Sequence, residues 1–179
     1  MKMQKVARLL GAVLSTWLAF AGPASAHEHR ALNGYHVFLG FVYEPSLEDE
    51  LNGPVLLVRD AKFKEVPLAE LQDTTKNKLT VEALYYGLKD TKDNRTAKPR
   101  ERLSLGRFQP IVDGALYNAM YTSKPGVYGF HIRGLLNGKQ VDSKFVCSRG
   151  SLDLPNSYFD CVSAPPVAPG PRIRGWWPN

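Results

Sequence analysis

Residues 22–36 read GPASAHEHRALNGYH and hold three of the chain's four histidines: His27, His29 and His36. His27 and His29 are separated only by Glu28 and follow directly on Ala-Ser-Ala. A chain that begins at His27 presents an α-amine, two amide nitrogens and an imidazole in third position. Four such nitrogens make the tetragonal plane that Cu(II) or Ni(II) prefers, ions able to displace amide protons. A cut after Ala24 leaves Ser25-Ala26-His27, again with histidine third. A second geometry uses less backbone. The amine and imidazole of His27 chelate copper together, and His29, His36 or His131 completes a T-shaped brace. That version requires the cut after Ala26.

The upstream residues provide for such a cut. Lys2, Lys5 and Arg8 give a positive start, LLGAVLSTWLAFAG an apolar stretch, and Ala-Ser-Ala small residues at the −3 and −1 positions of a signal-peptidase site. The first acid of the chain is Glu28. Residues 1–26 are therefore expected to be a signal peptide, and the mature protein to be periplasmic or secreted. No later segment approaches the roughly 18 consecutive apolar residues of a membrane span, so no transmembrane segment is expected after cleavage.

Charge and motifs narrow the chemistry. Residues 1–26 carry three of the 23 Lys and Arg and none of the 17 Asp and Glu, leaving a net charge of +3 on 153 residues. That is an ordinary solubility charge, and nucleic acid is not an expected partner. The basic run KDTKDNRTAKPRER (89–102) has acids interleaved and reads as a solvated loop. The acidic EPSLEDE segment lacks the residue order of a calcium loop and reads the same way. No GxSxG, HExxH or Cys/His signature of hydrolysis occurs. A methionine-rich Cu(I) site is excluded too, since only Met120 remains after cleavage.

Cys147 and Cys161 form an even pair, which in an oxidising compartment reads as a disulfide with one connectivity. The 15-residue loop it closes corresponds to about 3 kcal/mol in the chain-entropy account. No CxxC redox motif is present, which makes the role structural.

The elements that must position these groups read as strands. YHVFLGFVYEP (35–45), PVLLVRD (54–60), RLSLGRFQPIV and GALYNAMYT are rich in β-branched and aromatic residues. LTVEALYY (79–86) alternates, with Leu79, Val81, Ala83 and Tyr85 on one face. Pro125-Gly126 and Asn137-Gly138 mark turns around the last two strands. VPLAELQDTTK (66–76) is the single helical candidate. The pattern predicts an all-β fold: an antiparallel, immunoglobulin-like β-sandwich over 27–162 with one disulfide. In PGVYGF, Tyr128 follows a glycine turn two residues before Phe130, the spacing of a tyrosine corner. Tyr128, Phe130 and Ile132 point to the core, which turns His131 outward. His36 alternates with Tyr35 and Val37 and faces the same way, out. Residues 163–179, with five prolines in SAPPVAPGPRIRGWWPN, read as a Pro-rich tail unable to form a regular strand. Trp176 and Trp177 are expected to bring it back onto the domain.

An exported sandwich with histidine at its mature start resembles the periplasmic copper-resistance C proteins and related small copper-binding sandwiches. The likeness lies in the signal-to-His27 junction and the strand pattern. It implies a Cu(II) ligand at His27; the family's later Asp-Gly-His element is missing here. The outline also resembles copper-dependent polysaccharide oxygenases, against which the HEHR start and the small size count. The expectation is a binding protein, not an enzyme. It takes Cu(II) at its mature amino terminus through His27, with His29 as the first further imidazole and His131 in reserve. The alternative is a structural or protein-interaction module of the cell envelope, its contact surfaces being loop 87–102 and the Trp-Trp tail.

Overall fold

The computed structural model describes residues 27–44, 46–88, 97–147, 161–164 and 173–174. The expected signal peptide, most of the loop 89–102 and both tail tryptophans lie outside the described residues.

Two antiparallel sheets face each other. The first runs β1 (Glu28–Leu32), β2 (Tyr35–Phe41), β5 (Pro54–Arg59), β9 (Ala115–Tyr117) and β8 (Gln109–Val112), in that spatial order. The second runs β12 (Lys139–Val146), β11 (Val127–Leu136), β6 (Lys78–Gly87) and β7 (Glu101–Arg107). Two short ribbons complete it: β4 (Glu50–Asn52) with β10 (Met120–Thr122), and β3 (Tyr43–Glu44) with β13 (Ile173–Arg174). The helix α1 (Leu68–Gln72) falls inside the predicted stretch and buries Leu71. No helix among the described residues is long and apolar enough to cross a membrane.

The two-residue period of each strand builds the core. Val37, Leu39 and Phe41 from β2 meet Phe130 and Ile132 from β11, and all five are essentially inaccessible. Phe41 and Phe130 pack edge to face with centroids 5.4 Å apart. The Tyr128 hydroxyl donates to the Lys124 carbonyl at 3.0 Å, closing the tyrosine corner. Two facing antiparallel sheets with this corner make an immunoglobulin-like sandwich. Cys147 and Cys161 are joined, their Cα atoms 5.0 Å apart.

Local turn chemistry matches the backbone. Asn137 and Gly138 take φ of 53° and 71°, the two left-handed residues of the hairpin between β11 and β12. Two expectations need correction. The acidic segment after residue 45 is not a solvated loop throughout. Ser46, Leu47 and Asn52 are buried, and the Thr122 hydroxyl donates to the Leu47 carbonyl at 2.6 Å. The Pro-rich tail does contribute strand: Ile173 and Arg174 pair with Glu44 and Tyr43. Prolines remove backbone donors, and this two-residue pairing sits at a point free of proline.

Candidate metal-binding face

The amino-terminal strand β1 is held by a hairpin at Asn33-Gly34, with φ of 54° and 89°. That dipeptide is as strong a hairpin signal as Asn137-Gly138, and it announces β1 in the sequence, where no strand before Tyr35 was expected. β1 is the edge of the first sheet. Arg30 ties it to the second: its guanidinium donates to Glu28 at 2.6 Å and to the Lys144 carbonyl at 2.7 Å, and lies 4.2 Å from the Phe145 ring centre.

Register decides which face each histidine occupies. Glu28 stands opposite Leu39 and Arg30 opposite Val37, so their side chains share the core-facing side. His29 stands opposite Phe38 and Ala31 opposite His36, on the outer side. One step further back, His27 meets Gly40. A methyl group on Gly40 would lie 2.8 Å from His27 Nε2 and 3.0 Å from Glu44 Oε1. Both polar atoms thus close over the bare glycine. His27 is 1% exposed in the full chain, and burial lowers its pKa to about 4, which keeps the imidazole neutral at ordinary pH.

His29 Nε2 and His36 Nδ1 lie 3.0 Å apart. His29 stacks on Phe38 with centroids 4.5 Å apart, and His36 on Phe63 at 3.8 Å. Phe63 was not anticipated, because it lies in a turn and reaches His36 only through tertiary placement. Burial, and secondarily the charge of His36, lower the His29 pKa.

His131 belongs elsewhere. It faces outward from the second sheet, with Nε2 2.5 Å from Asp142 Oδ1 and Nδ1 4.0 Å from Glu82. The hydrogen bond with His131, ahead of nearby cations, holds the Asp142 carboxyl below its usual range. The structure therefore gathers His27, His29 and His36 on one outer face, and His131 on the opposite one. A sandwich core roughly 10 Å thick separates the two.

The strand also bears on the two copper geometries. Consecutive amides in a strand point to opposite edges, so Glu28 and His29 cannot offer both nitrogens to one ion while they pair with β2. The four-nitrogen plane requires the start of β1 to leave the sheet; the brace draws on the amine and ring of His27 and a second imidazole, and on no strand amide. Among the described residues, no group of three or more His, Cys, Asp or Glu side chains is arranged to hold a metal ion.

A cleft of about 220 Å³ opens between β7 and β10, lined by Tyr85, Leu103, Met120, Tyr121, Lys124 and Tyr128. Leu103 and Tyr121 are exposed there, and so is Leu51, which stands directly opposite Tyr121 in the β4–β10 ribbon.

No protein-family model matches the chain, and no curated protein does. Among solved structures, the Lin-41 filamin domain is similar at 12% identity and a TM-score of 0.30, over 71% of this chain and 96% of that one.

Proposed function

We propose that this chain is an exported β-sandwich binding protein that takes one Cu(II) at an amino terminus created by cleavage before His27. The observation that carries the reading is the convergence of His27 Nε2 and Glu44 Oε1 over Gly40. An α-amine and Nδ1 of the same histidine close a six-membered chelate, in which Nε2 takes no part. A carboxylate brought within hydrogen-bond reach of Nε2 would fix the ring's tautomer and raise its basicity as a ligand. His27 would supply amine and ring, Glu44 would orient the ring, and His29 is the next imidazole along the same face. Bound copper would supply a tetragonal Lewis-acidic centre.

The test is mass spectrometry of the exported protein followed by Cu(II) titration monitored by electron paramagnetic resonance. The expected mature chain starts at His27 and binds one equivalent. One extra residue before His27 should weaken binding at least tenfold, and Glu44→Gln should weaken it less. Unchanged affinity in the extended chain would remove the amino terminus from the site.

The linked exposure of Leu51, Tyr121 and Leu103 around the Tyr-lined cleft supports a second reading, an interaction module of the cell envelope. In that case Tyr121→Lys with Leu103→Lys abolishes association with envelope material and leaves copper binding intact. Persistence of the association in the double variant would dismiss it.

A further inference from the structure

The outer face of β1 and β2 carries a second arrangement that owes nothing to processing. His29 Nε2 and His36 Nδ1 point at one another across 3.0 Å. Two nitrogens each about 2.0–2.1 Å from one ion lie roughly 2.9–3.4 Å apart between square and tetrahedral angles. The observed separation falls inside that window. It also suits a proton shared between two rings, which an ion must displace.

The surroundings hold the pair in place. Phe38 lies under the His29 ring with planes 22° apart, and Phe63 lies against His36 with planes 18° apart. Phe63 reaches this position in a left-handed backbone conformation, φ 60°, which is strained for a non-glycine residue. The turn that enforces it is built on Asp60, whose Oδ1 accepts from the Lys62 amide at 2.7 Å and the Lys64 amide at 2.9 Å. The Phe63 amide itself donates to the Asp60 carbonyl at 2.9 Å. A strained, half-exposed phenyl ring is thus clamped over an imidazole while the nitrogen edges of the pair converge. Strain of this kind persists where surrounding structure over-determines it, and it clusters at ligand clamps.

We infer that His29 and His36 form a cis-imidazole site for a borderline divalent ion of the Zn(II), Ni(II) and Cu(II) class, positioned by Phe38 and Phe63 and independent of the amino-terminal amine. Solvent completes the coordination. The site shares His29, the further imidazole of the proposed amino-terminal copper site, but does not rest on the amine and ring of His27. Failure of one leaves the other standing.

Zn(II) is the probe, because it is diamagnetic and leaves backbone amides protonated. The processed protein, and the same chain extended by one residue, are titrated while the histidine ring signals are followed by NMR. The expected result is that the His29 and His36 signals shift together with one equivalent in both chains, while those of His131 do not. His36→Gln and His29→Gln should each weaken Zn(II) at least tenfold. Phe63→Gly relieves the strained φ and bares His36, so the fold should be retained while affinity falls about threefold or more. Zn(II) binding unaltered by His36→Gln would overturn the inference. So would a His29–His36 proton that persists in excess Zn(II).

Discussion

His27 packs against the one residue of β2 that has no side chain: a methyl on Gly40 would come within 2.6 Å of its Cδ2 and 2.8 Å of its Nε2. No Cβ contact of that kind survives without movement. The fit of the buried His27 imidazole therefore depends on a glycine thirteen residues later.

Gly40→Ala tests this dependence. The backbone at Gly40 is open to any residue, so the substitution reports on space alone. It should displace His27, lower stability by about 1–3 kcal/mol in urea unfolding, and weaken amino-terminal Cu(II) binding. Retention of full copper affinity in a destabilised Gly40→Ala protein would separate His27 from the metal.

Removing the disulfide by Cys147→Ser with Cys161→Ser should cost about 3 kcal/mol in the loop-entropy account. The far-ultraviolet spectrum should keep its strand signature, because the two sheets are paired without the bridge. Two reactive thiols in denatured, non-reduced wild-type protein would contradict the pairing.

Alkaline pH should loosen the sandwich through its buried tyrosines. Burial, reinforced by Tyr85, pushes the Tyr128 pKa up to about 12. Burial and the hydrogen bond to Glu70 raise that of Tyr35 further. An unfolded tyrosine ionises near 10, so the native state binds protons that the unfolded chain has already released. The stabilisation is complete below pH 10 and lost as pH rises through 10 towards 12. Tyr128→Phe should lower stability at pH 7 by about 1 kcal/mol, from the lost bond to Lys124. It should also flatten the decline between pH 10 and 12. An equally steep decline in the variant would assign the alkaline effect elsewhere.

What the sequence determined by itself was local. Alternation placed Leu79, Val81 and Ala83 inward, Pro125-Gly126 and Asn137-Gly138 set turns, and Tyr128 announced its corner, because each depends on backbone preferences of adjacent residues. The even cysteine pair was legible for the same economy of alternatives. Asn33-Gly34 carried an equally local signal for the β1–β2 hairpin. Tertiary structure alone decided the rest. Register between β1 and β2 put His29 within reach of His36 and His27 over Gly40, and a one-residue slip would have sent His27 and His29 into the core. Sheet membership sent His131 to the opposite face, to Asp142 and Glu82. The Asp60 turn brought Phe63 onto His36 from another strand's end. Spacing along the chain fixes which way a side chain points from its own strand; which groups it meets is fixed by pairing between segments far apart in sequence.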